Sequence, residues 1–309
     1  MELLEAFRSL ESEFSGRIEF GAPLSKVAYY RIGGPARVLV EPRTLSDLEK
    51  VHQILRATHA PFFVLGWGSN LLFPDDEYPG VMIRMKHLNT GVEEVRPGIL
   101  RVGASLGANS LLRVAGERGY GGLSRFTGIP GSIGGMITMN AGTHLGDMSE
   151  VLRRTEWVNL SEDSDRLTLR SRDHQSPADF SYRRNHFLKE GDLILHAEIA
   201  YVPEDPAIVK AEIDTLYQRR KSTQPVEYPS CGSVFMNPLD SGMRAWEVVD
   251  RLGFRGRRRG GAQVSEKHPN FIINVGGATA KDVRGLIEEI REAARATLGI
   301  ELHEEVRIL

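Results

Sequence analysis

Cysteine is almost missing from this sequence of 309 residues, in which Cys231 is the single example. One cysteine excludes an intramolecular disulfide and a cysteine-rich zinc site. Scarce cysteine is typical of a reducing compartment, and a lone cysteine is more often a small buried residue than a catalyst. No histidines and glutamate stand at the His-Glu-x-x-His spacing of zinc hydrolases. We therefore expect no metal site.

The sequence also lacks an excess of either charge and any long apolar run. Its 39 Lys and Arg residues against 41 Asp and Glu residues give a formal net charge of −2. This balance excludes a protein held by overall attraction to nucleic acid or an anionic membrane. No apolar run approaches the ~18 residues that a membrane helix needs, and the acidic N-terminus is unlike a signal peptide. We expect a soluble, cytoplasmic protein with no membrane span.

Glycine, in contrast, is abundant, with 32 residues. It is concentrated in two loops, Val64–Leu72 and Thr127–Gly135, and Asn140-Ala141-Gly142 follows closely. Either loop alone could be a tight turn or an Ω-loop. Glycine also lets a flat or anionic ligand approach the backbone, where consecutive N–H groups bind phosphate. Two such loops predict a long ligand that contains a pyrophosphate, although neither has Walker A or Gly-x-Gly-x-x-Gly spacing.

Residue periodicity predicts a mixture of helices and strands. Apolar residues at helical spacing open the chain, namely Leu3, Phe7, Leu10 and Phe14. Capping boxes predict helix starts at Thr44 and Thr279. Asp205 followed by Pro206 predicts a third helix start and the best domain boundary. The buried face of that helix is expected to consist of Val209, Ile213, Leu216 and Tyr217.

Four further segments carry polar residues of catalytic or binding type. Tyr217–Lys221 brings three cations to a predicted helix end, where they also favour the helix dipole. Ser181–Phe187 holds two neighbouring arginines, of which one would point inward from a strand. Pro229–Phe235 contains a serine without the spacing of a nucleophile elbow, and His303–Arg307 contains two glutamates. A solvated helix end, a turn serine and exposed carboxylates are the simpler alternatives.

The segment Gly253–Gly261 is rich in arginine and could contact RNA or phosphate. Because the chain has no excess of positive charge, a nucleic-acid site is the weaker interpretation. A loop that closes over an anionic ligand is the prediction we favour.

In chain order, these segments resemble the UDP-N-acetylenolpyruvoylglucosamine reductase (MurB) family of flavoenzymes. The resemblance covers nearly the whole chain, and the chain is similar to the shorter family type, without the tyrosine-bearing insertion. The matching motifs are Tyr30-Arg-Ile-Gly-Gly-Pro-Ala36, Leu65-Gly-Trp-Gly-Ser-Asn70, Gly128-Ile-Pro-Gly-Ser-Ile-Gly-Gly135, Asn140-Ala-Gly142, Cys231-Gly-Ser-Val-Phe235, Gly261-Ala-Gln-Val-Ser-Glu-Lys-His268, Asn270-Phe-Ile-Ile-Asn274 and Glu305-Val-Arg307.

The resemblance implies an α+β fold in three parts. Residues 1–80 and 81–204 would form a two-part FAD-binding module of the vanillyl-alcohol-oxidase (PCMH) type, and residues 205–309 a C-terminal α+β substrate-binding domain. FAD would be bound non-covalently, because the loops expected to touch the flavin ring contain no histidine. The implied cofactor-binding residues are Arg31, Gly33, Gly34, Gly66, Trp67, Gly68, Ser69, Asn70, Leu71, Gly128, Ile129, Pro130, Gly131, Ser132, Gly134, Gly135, Asn140, Ala141 and Gly142.

The resemblance also implies the reaction. NADPH would reduce FAD, and hydride would pass from the flavin to the enolpyruvyl ether of UDP-N-acetylglucosamine, giving UDP-N-acetylmuramate for peptidoglycan. Ser233 matches the proton donor and Arg183 the arginine that holds the substrate carboxylate. Glu305 matches the glutamate that completes the site, expected to be a hydrogen-bonding acid with a pKa raised by burial. The implied substrate-binding residues are Tyr182, Lys221, Asn237 and His268.

The expected partner is this small molecule alone, bound by a monomer, with no nucleic acid. The sequence departs from the family pattern at Asn185, where serine is common, and at Met236, where lysine is common. Trp67 fills a variable position. Met236 is expected to weaken phosphate binding, and no departure falls on a proposed catalytic residue.

Three other functions stay open on the sequence. The first is a protein that binds flavin or a nucleotide sugar without turnover, which intact Ser233, Arg183 and Glu305 argue against. The second is a flavin oxidase of the same superfamily, which oxygen consumption with a small alcohol would favour. The third is an RNA-binding module, which a steep salt dependence of RNA affinity would favour.

Overall fold

A computed structural model of the chain describes residues 2–174 and 177–309. Its α-helices are α1 Leu3–Leu10, α2 Leu45–Thr58, α3 Ala108–Arg118, α4 Ile133–Thr138, α5 Met148–Val151, α6 Pro206–Thr223, α7 Ala245–Arg251 and α8 Ala280–Leu298. Its strands are β1 Arg17–Pro23, β2 Pro35–Glu41, β3 Phe62–Leu65, β4 Leu71–Leu72, β5 Tyr78–Arg84, β6 Val92–Arg96, β7 Ile99–Gly103, β8 Tyr120–Gly121, β9 Gly142–Thr143, β10 Gly146–Asp147, β11 Leu152–Asn159, β12 Arg170–Asp173, β13 Phe180–Ser181, β14 Arg184–Asn185, β15 Asp192–Ala200, β16 Val202–Pro203, β17 Arg258–Arg259, β18 Ala262–Val264, β19 Ile272–Asn274 and β20 Arg307–Ile308. The predicted mixture of helices and strands is confirmed. In the part of the chain so described, none of the helices has the length and apolar character to cross a membrane.

The chain forms two compact units. The first unit comprises Met1–Ala22, Ala36–Trp67 and Pro79–Tyr217. The second unit comprises Pro23–Pro35, Gly68–Tyr78 and Gln218–Leu309. The bounds of these units differ from the predicted boundaries at 80/81 and 204/205, because two segments before residue 80 pack with the C-terminal part. The three predicted domains stay a prediction.

Among the described residues, the first unit contains two larger sheets and three two-stranded ones, β9-β10, β13-β14 and β8-β16. Two hydrophobic clusters pack on the larger sheets, and one of them has residues from both. One sheet has the strand order β1-β2-β5-β3, with β3 and β5 parallel. The other has the order β12-β11-β15-β7-β6, and its β11–β12, β11–β15, β15–β7 and β6–β7 pairs are antiparallel. Helix α2 begins at the predicted capping box, in which Thr44 and Asp47 bond to each other's backbone N–H. Its apolar stripe Leu48, Val51 and Leu55 is buried in the first cluster.

The second unit contains the antiparallel sheet β17-β18-β19 with α7 and α8 in one hydrophobic cluster. Tyr30, from the early part of the chain, is fully buried there, and its hydroxyl donates to the carbonyl of Ile272 at 2.7 Å. Asp75 accepts hydrogen bonds from the N–H groups of Ala280 and Lys281 at 2.8 and 3.1 Å. These bonds satisfy donors in the first turn of α8, which have no partner inside the helix.

Helix α6 is confirmed at its predicted start, since Asp205 accepts a hydrogen bond from Ala207 N at 2.8 Å. The predicted burial is only partly right. Val209 is fully buried, but Tyr217 is 49% exposed. Gly116 of α3 lies within 3.8 Å of the early α6 residues Lys210 and Ile213, measured from a Cβ placed on the glycine. The neighbouring helix therefore covers the early turns of α6, where the burial is found.

The arginine-rich segment before β18 is paired within the second unit. Arg257 and Arg259 both form ion pairs with Glu289 of α8, at 2.8 and 3.0 Å. A Cβ on Gly285, one turn before Glu289, would overlap the Arg259 guanidinium, so a larger residue there would displace this side chain. Glu289 therefore pairs with two of the four arginines of the segment Gly253–Gly261.

The carboxylate of Asp47 binds the N-terminal segment of the chain through Ser15. It is 2% exposed and accepts hydrogen bonds from Ser15 N, Ser15 Oγ, Arg43 N and Thr44 N at 2.6–3.0 Å. Burial works to raise the pKa of Asp47, but these hydrogen bonds outweigh it and hold the pKa below its ordinary value. We expect Asp47→Ala to lower the free energy of unfolding in urea by about 3 kcal/mol at pH 7, because the donors lose a charged acceptor.

The same comparison has a defined pH dependence. A carboxyl with a depressed folded pKa stabilises above its unfolded pKa of about 3.9 and loses that effect as the pH falls through the folded value. The difference between Asp47→Ala and wild type should therefore shrink below about pH 4. Glu49→Ala, on the same helix, is the control and should cost under about 0.5 kcal/mol. A loss equal to that of the control would contradict this account.

Candidate active site

The turn that follows β3 packs on the second glycine-rich loop within the first unit. A Cβ on Gly66 would overlap Ser132 Oγ, and a Cβ on Gly107 would overlap the indole ring of Trp67. Glycine at these two positions therefore lets the side chains of Ser132 and Trp67 lie close against the backbone. The structure thus brings together the Gly66-Trp67 part of one predicted loop and the loop around Ser132.

The loop at 128–135 is held by backbone hydrogen bonds to 104–108. Ala108 N donates to Gly131 O, Ile133 N to Leu106 O and Gly134 N to Ala104 O, at 2.8–2.9 Å. Gly128 and Gly131 have φ angles of +77° and +129°, which other residues rarely adopt. The pairing holds the loop in an open curve, with Ser132 at the start of α4 and its Oγ accepting from Gly135 N.

Two buried hydroxyls on these segments have no hydrogen-bond partner among the residues that the structure describes, namely Ser105 Oγ and Thr127 Oγ1. Buried polar atoms in native proteins are usually satisfied by protein, water or a ligand. Unpaired hydroxyls beside a glycine-lined backbone fit a flat, polar ligand such as FAD. Ile129 and Ala141 are partly buried against the apolar cluster behind the loop.

The rest of the first glycine loop lies in the second unit, with the segment around Arg31. Gly68 has a φ of +66°, and its carbonyl accepts from Tyr29 N at 3.0 Å. Arg31 has a left-handed φ of +56° despite its side chain. A Cβ on Gly33 would lie 2.8 Å from Phe73 Cβ, and one on Gly34 would overlap the Asp75 carbonyl. The predicted residues 31–34 and 68–71 therefore belong to one packed region.

The C-terminal segment places Glu305 beside the segment of Ser233. Glu305 N donates to Val234 O at 2.7 Å, and Met236 N donates to His303 O at 2.9 Å. The carbonyl of Glu305 also accepts from Asn70 Nδ2 at 2.9 Å. Ser233 and Glu305 are both half-buried. Ser233 and Glu305, both predicted to be catalytic, are 72 positions apart in the sequence. They nevertheless lie on neighbouring backbone segments.

Asn270 holds the Ser233 segment from the other side, although nothing singled it out beyond its place in a motif. Its carbonyl accepts from Val234 N at 2.8 Å, and its buried side chain bonds both backbone groups of Phe235 at 2.9–3.0 Å. A Cβ placed on Gly232, which has a φ of +75°, would meet no atom within 4 Å. Open space therefore lies immediately before Ser233.

Cys231 is buried, and its thiol donates to the carbonyl of Leu71 at 3.0 Å. Burial raises the pKa of this thiol well above its ordinary value. The thiol is therefore protonated at neutral pH and a poor nucleophile. This agrees with the interpretation of Cys231 as a small buried residue.

Arg183 lies at the tip of a two-residue turn between β13 and β14 in the first unit. Its φ is +58°, its Nη2 donates to Gly142 O at 2.9 Å, and its guanidinium lies 5.1 Å from the centre of the Tyr182 ring. Asn140 and Asn185 tie the hairpin to its surroundings. Asn140 Nδ2 donates to Ser181 O at 3.1 Å, and Asn185 Nδ2 to Thr138 O at 2.6 Å. The bond to Thr138 O therefore gives a structural reason for asparagine at position 185, where serine is common in the family.

A second set of buried polar atoms lies in the second unit around Arg220. Arg220 Nε, Gln224 Oε1 and His268 Nδ1 are buried without a partner among the described residues. Burial lowers the pKa of Arg220 to about 10. Burial, assisted by the positive charges of Arg255 and Arg220, lowers the pKa of His268 to about 4. A buried cation next to a neutral histidine and an amide is suited to an anionic, hydrogen-bonding ligand.

Lys221 was predicted to bind substrate, which stays a prediction, whereas Arg220 and Gln224 were not predicted as site residues. Lys221 is exposed, and its carbonyl accepts from Lys267 Nζ at 3.3 Å. Asn237 accepts from Ala245 N at the start of α7. Arg220 and Gln224 are four positions apart, which is one helical turn, so helical spacing was the available signal.

The described residues contain no cluster of three or more histidines, cysteines or acids that could hold a metal.

Comparison with known families gives two matches. Residues 224–309 match the C-terminal domain of UDP-N-acetylenolpyruvoylglucosamine reductase. Residues 36–162 match an FAD binding domain. The second match contains the glycine loops at 66–68 and 128–142, and the first contains Ser233 and Glu305.

Whole proteins are also similar. The UDP-N-acetylenolpyruvoylglucosamine reductase of Methylorubrum extorquens is 37% identical over 306 residues, covering 99% of this chain and 96% of that protein. The protein of the same name from Clostridium perfringens is 36% identical over 305 residues, covering 98% and 97%. The crystal structure of UDP-N-acetylenolpyruvylglucosamine reductase (MurB) from Thermus caldophilus superposes with a TM-score of 0.78 at 30% identity, covering 95% of this chain and 99% of that one.

The close approach of Gly66 to Ser132 predicts a specific defect in cofactor retention. We expect Gly66→Ala to weaken FAD binding by tenfold or more, because its methyl group must displace Ser132 Oγ. Adding Ser132→Ala should recover much of the affinity, since the new Cβ would then meet Ser132 Cβ at an ordinary 3.5 Å. The measurement is titration of apoprotein with FAD by flavin fluorescence.

Gly91→Ala is the matched control, because a Cβ at Gly91 meets nothing within 4 Å. It should bind FAD as wild type does. Equal affinity in Gly66→Ala and Gly91→Ala, or no recovery in the double variant, would show that this contact does not shape the cofactor site.

Proposed function

The chain belongs to the UDP-N-acetylenolpyruvoylglucosamine reductase family, and we propose that Ser233, Arg183 and Glu305 carry out the reaction of that family here. It is an FAD-dependent oxidoreductase that reduces enolpyruvyl-UDP-N-acetylglucosamine in peptidoglycan synthesis. The observation that carries the proposal is the backbone pairing that sets Glu305 beside the Ser233 segment. We further propose that it acts as a monomer.

The residues that would hold FAD are the two glycine loops and the segment at Arg31–Gly34. Two observations support this assignment. The hydroxyls of Ser105 and Thr127 have no partner among the described residues, and the glycine at 66 leaves room for Ser132 Oγ beside the backbone. When bound there, FAD supplies the hydride that reduces the substrate's vinyl group, and NADPH supplies the electrons that restore it. The protein's own residues bind the substrate, orient it and provide the proton.

Ser233 is the proposed proton donor. Adding hydride to the terminal vinyl carbon leaves negative charge on the neighbouring carbon and the attached carboxylate. A serine hydroxyl is a weak acid, but this enolate is a strong base, so transfer from Ser233 Oγ to carbon is downhill when the atoms are close. The half-buried position of Ser233 beside open space at Gly232 supports this role.

Arg183 and Glu305 are proposed to control the charge of that intermediate. A guanidinium binds a carboxylate through two parallel hydrogen bonds and stabilises charge that grows during the reaction. An ionised Glu305 would disfavour an enolate nearby. We therefore assign Glu305 the role of a hydrogen-bonding acid or an orienting group.

The diphosphate of the nucleotide sugar is proposed to bind at Arg220 and His268, whose Nε and Nδ1 atoms are buried without a partner among the described residues, with the amide N–H of Gln224 as a further donor. Tyr182 stacks under the Arg183 guanidinium and is proposed to shape the carboxylate end of the site. Lys221 and Asn237 keep their proposed places at the edge of the substrate site. Buried cations attract a phosphate more strongly than exposed ones, since water screens them less.

Anaerobic absorption spectra of wild type and Ser233→Ala test the reaction and the serine together. In wild type, NADPH should bleach the flavin band, and the enolpyruvyl ether should restore it. In Ser233→Ala, bleaching should proceed at the wild-type rate, while recovery with the ether should slow by ~100-fold or more because the proton donor is lost.

Ser233→Cys is the matched variant and should keep part of the recovery, because a thiol can also donate a proton. Normal recovery in Ser233→Ala would remove Ser233 from the mechanism. A band that bleaches in wild type but ignores the ether would discard the assigned substrate.

The diphosphate assignment predicts different effects for neighbouring residues of α6 and the turn that follows. Gln224→Leu should raise KM for the enolpyruvyl ether about tenfold with little change in kcat, because a uniform binding contact is lost. Lys221→Ala should raise KM by less than about twofold, because an exposed charge is screened. Steady-state kinetics with NADPH in excess distinguish the two. A larger effect of Lys221→Ala than of Gln224→Leu would contradict this assignment and place the diphosphate at Lys221.

A further inference from the structure

The backbone of Arg183 is strained, and something must hold it in place. A non-glycine residue in the left-handed region costs about 1 kcal/mol or more. Arg183 is the third residue of the turn Ser181–Arg184 and has a positive φ. Glycine is the usual residue at the third position of turns with a positive φ there. Such strain persists only where surrounding contacts over-determine the conformation. The tip contacts at Asn140 and Asn185 are one source of support, and the base of the hairpin provides another.

Asp179 closes that base. It is 4% exposed, and its carbonyl accepts from His186 N at 2.8 Å, which pairs the two ends of the hairpin. Its carboxylate accepts two hydrogen bonds from Arg172, at 3.0 and 2.6 Å, and one from His174 Nδ1 at 2.8 Å. Burial works to raise the pKa of Asp179, but these bonds outweigh it and hold the pKa below its ordinary value.

His174 connects Asp179 to the five-stranded sheet. Because a carboxylate only accepts, His174 Nδ1 must carry a proton, and the neutral ring then accepts at Nε2. Its Nε2 lies 2.8 Å from Thr155 Oγ1, on the central part of β11, where Thr155 is fully buried. Burial lowers the pKa of His174 despite the neighbouring carboxylate, which favours the neutral ring. The Thr155 hydroxyl therefore donates to His174 Nε2, and His174 Nδ1 donates to the Asp179 carboxylate. These two bonds link Asp179 to strand β11.

Aromatic contacts fix the same ring from the sides. Phe180 and Phe187, which flank the hairpin strands, lie 5.4 and 4.6 Å from the His174 ring and 5.6 Å from each other. The hydrogen-bonded chain and this aromatic packing leave His174 little rotational freedom. A shift of Thr155 or Asp179 would therefore move the hairpin as a body.

We propose that Thr155, His174 and Asp179 form a positioning network that holds the hairpin and keeps Arg183 in place for the substrate carboxylate. None of the three is a catalytic residue, because they act through Arg183. The inference rests on the proposed role of Arg183 and extends it to residues that lie behind it in the fold.

The test compares Asp179→Asn and Thr155→Val with wild type, using the full chain loaded with FAD. Both should speed hydrogen exchange of the His186 amide, which donates to the Asp179 carbonyl, by tenfold or more. Both should lower kcat with the enolpyruvyl ether by tenfold or more, with the rate of flavin reduction by NADPH unchanged. Thr155→Ser keeps the hydroxyl and should restore both values. Asp173→Asn, which removes an exposed ion pair to Arg154 on the neighbouring strand, is the matched control.

A double-variant cycle separates positioning from general destabilisation. If Asp179 acts through Arg183, Arg183→Ala alone and combined with Asp179→Asn should have the same kcat. Additive losses, or wild-type exchange of the His186 amide in Thr155→Val, would overturn the network. Thr155→Val replaces the hydroxyl by a methyl group of similar size. This variant therefore tests the network even where Asp179→Asn fails to fold. Wild-type turnover of Arg183→Ala would instead overturn the proposed role of Arg183, while the exchange data still decide whether the network holds the hairpin.

Discussion

The site in the second unit depends on how the backbone of Glu305 is held. Its N–H donates to Val234 O, and its carbonyl accepts from Asn70 Nδ2. The backbone of Glu305 is therefore bonded on one side to the serine segment and on the other to the glycine loop that is proposed to hold FAD. These two bonds set the position of its backbone.

Polar atoms buried in the molecule fall into two kinds. Asp47, Asn270 and Asp179 have their hydrogen-bonding capacity used by nearby protein groups, and each fixes a segment. Ser105, Thr127, Gln224 and His268 each keep a buried atom without a partner among the described residues. Because burying an unsatisfied polar atom costs free energy, the second kind is informative. These four residues belong to the segments of the glycine loops and of the proposed diphosphate site, whereas Arg84, Asn89 and Trp157, which also keep a buried atom without a partner among the described residues, are not proposed site residues.

Local features of the sequence were enough to predict much of this arrangement. Capping boxes located the starts of α2 and α8 because each needs only four residues to be read. The glycine loops were visible as composition. The membership of residues 23–35 in the second unit was not predictable, because Tyr30 bonds a residue 242 positions away. Arg220 was not predicted as a site residue, although it and Gln224 are one helical turn apart, because that spacing does not show which of the neighbouring cations has a buried atom.

Backbone strain is distributed unevenly over the described residues. The non-glycine positions with positive φ are Arg31, His59, Asn89, Asn140 and Arg183. Arg31, Asn140 and Arg183 belong to the predicted site, whereas His59 ends helix α2 in the left-handed conformation common at that position. Strained residues need surroundings that over-determine them. Asn140 has three side-chain hydrogen bonds of this kind, and the Arg183 guanidinium donates to the carbonyl of Gly142. The surrounding contacts therefore hold Asn140 and Arg183, both proposed site residues, in backbone conformations that cost free energy.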